Sequence, residues 1–229
     1  MKRKELVLFL IITCALFEFV FDHTPNFWIM VNERNPDRFW RARFIEKYEA
    51  GTISQLPLYT IHSTRGWTLK PNVRLFESGI HISTNERGVR SATPYIRDGH
   101  KTQVLIVGDS FTFGNGLDDR MTWAQILEDK LPHSQVINLG VDGYGIGQML
   151  ITLRETVREY RPHIVVCAFI DDDLGRNLLN FRDYKKPKFE LSGGVLSLPP
   201  YSIGSMEETY RETRLIHTFE SISLFNFRN

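Results

Sequence analysis

Apolar residues recur along this chain in two rhythms, and each predicts a different kind of element. Gln103 to Val107, residues 135–139, and His163 to Ile170 are short, largely uninterrupted apolar runs, which predict buried strands. Between them the spacing becomes helical. Trp123, Ile126 and Leu127 mark a helix near Thr122 to Leu131, and Ile146, Met149, Leu150, Leu153, Val157 and Tyr160 mark a longer one. Strand alternating with helix predicts an α/β fold, a parallel sheet covered on both faces. In such sheets ligands gather at the carboxyl ends of the strands.

Upstream the rhythm differs. From Asn35 to Ala50, Pro36 in the first turn, Trp40, Phe44 and Tyr48 at i, i+4 spacing and Gly51 as a stop predict an amphipathic helix, packed by its aromatic stripe or touching lipid headgroups with its charged face. Between Leu56 and Ser91 short extended pieces, Val73 to Phe76 and Ile80 to Ser83 around Glu77-Ser78-Gly79, predict a β-hairpin prelude. The N-terminus reads Met1-Lys2-Arg3-Lys4-Glu5 and then an apolar run from Leu6 to Phe21, broken only by Thr13 and Glu18. A basic flank before such a run predicts a transmembrane anchor with the remainder on the extracytoplasmic side, a cleaved signal and a buried helix being the alternatives. The resulting division is 1–21 as anchor or signal, 22–100 as helix and β prelude, and 101–229 as the α/β domain. Glu207 to Phe227 is a further predicted helix.

Composition narrows the partners. Twenty-eight basic residues against 27 acidic ones leave no overall field, and no Lys/Arg stripe lies beside aromatic platforms, which argues against nucleic acid. The two cysteines, Cys14 in the apolar run and Cys167 in a predicted core strand, are unsuited to a mutual disulfide, and neither has metal-ligand neighbours. No metal or cofactor is expected. No Gly-Lys-Ser/Thr follows the Gly108 turn, and Asp109 would repel a phosphate, so nucleotide binding is disfavoured.

The candidate chemistry lies at the strand ends. Gly108-Asp109-Ser110 follows the first apolar strand, and a helix starting near Thr112 would leave unpaired N–H groups beside the Ser110 hydroxyl, an arrangement that suits an alkoxide nucleophile and a developing oxyanion. Turn and cap chemistry alone would also place Asp and Ser here. The second strand leads into Asn138-Leu-Gly-Val-Asp-Gly-Tyr-Gly145, the third into Phe169-Ile-Asp-Asp-Asp-Leu174. From about Val104 to about Arg182 this ordered set resembles the SGNH hydrolases, the GDSL-type esterases and lipases. The resemblance implies a three-layer, flavodoxin-like sheet. It makes Ser110 the nucleophile and gives the oxyanion the N–H groups of Ser110 and Gly143, Gly140 being a less suitable register. It puts Asp172 where the family carries an Asn donor, and an ionised carboxylate there accepts only. Asp171 to Asp173 could equally cap the segment after the strand. The family's Asp-x-x-His block is missing: His133, His163 and His217 have Lys130, Tyr160 and Arg214 three residues before them. The sheet is accordingly expected to be incomplete at its C-terminal side, as in a fragment or a shortened relative. Two functions follow, a serine-dependent hydrolase or transferase acting on small-molecule, glycan or lipid acyl esters with its base absent from this chain, or a membrane-tethered binding or scaffold module without chemistry.

Overall fold

The structure, a computed structural model, describes residues 37–53, 57–201 and 203–223. The expected anchor lies outside the described residues. Among those residues no helix is long and apolar enough to cross a membrane.

The predicted aromatic helix runs Asp37–Glu49 (α1) and seats Phe44 in the core with no exposed surface. It is held from its first turn, where the Asp37 carboxylate accepts from the backbone N–H groups of Asn180 and Phe181 at 2.8 and 3.1 Å. The prelude contains two hairpins rather than the one expected. Tyr59–His62 (β1) pairs with Gly66–Leu69 (β2), and Arg74–Glu77 (β3) with Ile80–Ser83 (β4). The second turns at Ser78 and Gly79, both with positive φ (53° and 81°), the two-residue geometry that matches strand twist. Trp67 and Leu69 of β2 are buried in the same core as Leu105, Val107 and Ile137, so the prelude packs directly on the sheet.

That sheet is formed by Thr102–Gly108 (β5), Ser134–Gly140 (β6) and Ile164–Ala168 (β7), all parallel, in the order β6-β5-β7. The one-turn helix Ser110–Phe113 (α2), Trp123–Lys130 (α3) and Ile146–Tyr160 (α4) follow the strands, and Asp171–Arg176 (α5) follows β7. The alternation read from the sequence is therefore present, as a mixed α/β fold with a three-stranded parallel sheet consistent with a flavodoxin-like arrangement. Val104 and Ile106 face Ala124 of α3 on one side, while Leu105 and Val107 face Phe113, Met149 and Tyr144 on the other. Each such buried side chain contributes about 1.5–3 kcal/mol relative to exposure.

β7 departs from expectation. Among the described residues it pairs only with β5, and Ile164, Val165 and Cys167 are exposed, so Cys167 is a free thiol on an edge strand and not a core residue. Two short hairpins and a long helix follow: Phe181–Arg182 (β8) with Tyr184–Lys185 (β9), Glu190–Ser192 (β10) with Val195–Ser197 (β11), and the helix Met206–Ser223 (α6), which packs on α1 through stacked Tyr48 and Tyr210 rings 4.1 Å apart.

Candidate functional site

Ser110 is delivered by β5 and fixed by the turn after it. The helix begins at Ser110 itself, not at Thr112, with Asp109 as its N-cap: Asp109 Oδ1 accepts from the Phe111 N–H at 3.0 Å. At four residues α2 is too short to carry much of a macrodipole, so what it offers an anion is unpaired N–H groups. Its seat is made by two close approaches. A Cβ on Gly108 would lie 1.9 Å from Thr112 Oγ1, and one on Gly140 would lie 2.3 Å from the Phe113 nitrogen. Any side chain at either place would push α2 off the sheet. Asn138, the polar interruption in β6, locks the same contact: its Nδ2 donates to the Thr112 carbonyl at 2.8 Å, and its Oδ1 accepts from the Gly140 N–H at 2.9 Å.

Register brings the second loop to the same edge. Gly108 pairs with Gly140 on one side and Ala168 on the other, so Ser110, Gly143 and Asp172 all follow their strands at the carboxyl end. Arg176 then ties these loops together. Its Nη1 donates to the Tyr144 carbonyl at 3.1 Å and lies 3.5 Å from Asp109 Oδ2, so the residue before Ser110 and the residue after Gly143 meet on one guanidinium nitrogen. The same nitrogen pairs with Asp173 Oδ1. Asp173 is fully buried, and its Oδ2 accepts from the Ile170 N–H at 3.0 Å, capping α5 from inside. Burial pushes its carboxyl above the usual range, with the Ile170 hydrogen bond and Arg176 opposing.

Asp172 is separated from this cluster. Its side chain is 79% exposed and reaches Arg176 Nη2 only at 3.9 Å. The acidic triplet thus divides its work: Asp173 caps, as one reading of the sequence allowed, and Asp172 faces water. Gly143 is buried with φ of 76°, and a Cβ there would lie 1.8 Å from Nη1 of Arg182. The backbone angle is what favours glycine at this position, and the Arg182 guanidinium would have to move for any side chain there.

Among the described residues no histidine joins the group. His163 accepts from the Gln103 N–H at 3.0 Å, and the His133 carbonyl accepts from Thr102 N–H at 2.8 Å, which places both at the amino end of the sheet, opposite Ser110. His217 rides on α6, the helix that packs on α1. Among the described residues no side chain hydrogen-bonds the Ser110 hydroxyl, and no group of three His, Cys, Asp or Glu could hold a metal ion. Arg176, Asn138 and Asp173 were not read as site residues from the sequence. A polar residue inside an apolar strand was the available signal for Asn138, and the i, i+3 spacing of Asp173 and Arg176 the one for that pair. The reach of Arg176 to Asp109, 67 positions away, left none.

Fold and geometry together define a parallel α/β protein with a serine at the β-to-α junction of its central strand, held by a buried Asp–Arg–Asp cluster. No family model matches the chain, and no curated protein matches it. Among solved structures it is similar to the crystal structure of TesA, at 28% identity over 32% of this chain and 43% of that one, with a TM-score of 0.31. The match spans less than half the length of that protein.

Proposed function

We propose that the chain is a serine-dependent acyl-ester hydrolase or transferase of the SGNH type, with Ser110 as nucleophile. The observation that carries the reading is the position of Ser110: the half-buried first residue of α2, at the carboxyl end of the central strand, on the edge that Gly143 shares. In this reading the Ser110 oxygen attacks the ester carbonyl. The Ser110 and Gly143 N–H groups receive the oxyanion, and the alcohol leaves with a proton. Among the described residues no base lies within hydrogen-bond reach of the Ser110 hydroxyl. General-base assistance is typically worth ~10²–10⁴-fold, so the chain alone should be nearly silent.

The test is hydrolysis of a short-chain aryl ester with added imidazole as an external base. Imidazole-stimulated turnover in the chain that exceeds that of Ser110→Ala, and is unchanged by His217→Ala, is the expected result. Equal rates for the chain and Ser110→Ala, with imidazole present, would overturn the reading. A second reading, a binding module on the same fold, is favoured by the absence of a described partner for Ser110 and by the exposed carboxylate at Asp172. It predicts that equal result. The membrane anchor at residues 1–21 and the extracytoplasmic location belong to this proposal too, supported by Lys2, Arg3 and Lys4 before the apolar run.

A further inference from the structure

Beside Gly143 a cavity of about 250 Å³ opens between α1, the first hairpin and the β8–β9 hairpin. Its walls are the rings of Trp40, Tyr59, Trp67 and Tyr184, with Asp142 and Arg182 among its polar groups. Most of those rings already have partners. Trp67 Nε1 donates to the Asp142 carbonyl at 2.9 Å, and Trp40 carries the Arg182 guanidinium 4.7 Å from its centroid. The polar groups are less satisfied. Among the described residues the Asp142 carboxylate and the Tyr59 hydroxyl have no hydrogen-bond partner, and Arg182 uses only Nη1, in its pair with Asp183 at 2.8 Å. Burial pushes both the Asp142 carboxyl and the Tyr59 hydroxyl up, with Arg182 opposing at Asp142 and the Asp142 charge adding at Tyr59.

Among the described residues, an acceptor and a group that both donates and accepts are thus gathered without hydrogen-bond partners, beside a guanidinium that uses one of its nitrogens, in an aromatic-walled cavity one residue from Gly143. Leaving such groups dry and unpaired costs about 1–3 kcal/mol each, so an alkyl chain is a poor occupant. A phosphate would face Asp142 and Asp183. Of the three cations on the cavity's walls, Lys47 and Arg182 share Asp183 at 3.3 and 2.8 Å and Arg43 lies over the Trp40 ring 5.8 Å from its centroid, while Asp142 adds a second negative charge, so a ligand without net charge fits this mixed lining better than an anion. A pyranose meets all of these demands: its hydroxyls both donate and accept, its C–H face lies against rings, and one ring is the size the space admits.

We infer that the cavity lined by Tyr59, Asp142 and Arg182 is a subsite for one sugar ring, so that the ester presented to Ser110 is carried on a glycan rather than on a lipid. The inference rests on the hydrolase reading for the word ester, but its test does not. The full chain carrying Ser110→Ala is titrated with the methyl glycosides of glucose, galactose and N-acetylglucosamine, followed by tryptophan fluorescence and by saturation-transfer NMR. At least one glycoside should saturate with a Kd on the order of 1 mM. Asp142→Asn and Tyr59→Phe, each checked for native circular dichroism, should weaken it by about tenfold, and neither octanoate nor inorganic phosphate should compete. No saturation by any of the three, saturation unchanged in both variants, or displacement by octanoate or phosphate overturns the subsite. Ser110-dependent aryl-ester turnover without glycoside binding would sink the subsite and spare the hydrolase. Glycoside binding without such turnover would do the reverse.

Discussion

Lys186 shows how much a single side chain can be asked to do. It is buried, and its Nζ donates to the carbonyls of Arg176, Leu179 and Pro187 at 2.9, 3.1 and 3.3 Å, gathering the backbone just after α5. Burial lowers its ammonium from 10.5 to about 8, with Asp37 opposing. Between those two values the unfolded chain binds more protons than the folded one, so stability must rise with pH across that window. The rise is bounded at about 3 kcal/mol, and the three carbonyl acceptors, which favour the charged form, hold it below that bound. Urea titrations of the chain from about pH 8 to about pH 10.5 should therefore show a rise that Lys186→Met lacks. Equal slopes in the two proteins would mean that the lysine stays protonated throughout.

At the scale of elements, the site depends on how α5 is tied to the β5 and β6 loops. One guanidinium does most of this. Asp109 and Asp173 are 1% and 0% exposed, and Arg176 is the cation that meets both. Removing one member of such a buried set leaves charge without compensation, at about 3–5 kcal/mol. Arg176→Met should lower the denaturation midpoint accordingly. Adding Asp173→Asn removes one stranded carboxylate, so the double variant should recover part of the loss, a coupling of about 0.5–3 kcal/mol. Strict additivity of the two changes would show that the cluster is not one unit.

For the whole molecule the telling feature is the β7 edge. Ile164 and Val165, on opposite faces of the strand, Phe169 after it, and Leu174 and Leu178 beyond are all exposed, so the edge leaves large apolar side chains open on both faces of the sheet. The chain in its native state should enhance the fluorescence of an anilinonaphthalene sulfonate dye. Val165→Lys, at a position 41% exposed, should reduce that enhancement while changing stability by no more than about 0.5 kcal/mol. A variant that binds the dye as strongly as its parent would place the apolar surface elsewhere.

The sequence by itself determined the elements and their order. Periodicity marked β5, β6, α3, α4 and α1 to within a few residues, because burial on one face or both imposes a spacing that needs no knowledge of the partner. It also marked Ser110 and Gly143 as strand-end residues, since both follow apolar runs directly. It missed the β1–β2, β8–β9 and β10–β11 hairpins, whose strands are two to four residues long and too short to carry a period. An apolar run also predicted a buried third strand, where only the neighbours that β7 has or lacks could decide exposure. Which of three consecutive aspartates turns inward was likewise a tertiary matter. Asp173 is the one whose position on α5 meets Arg176 and the Ile170 N–H, and Asp172, one residue earlier on the helix, points to water. The cavity beside Gly143 depends on the same physics. Tyr59, Asp142 and Arg182 come from three separate segments, and only packing of the prelude against the strand ends brings them around one space.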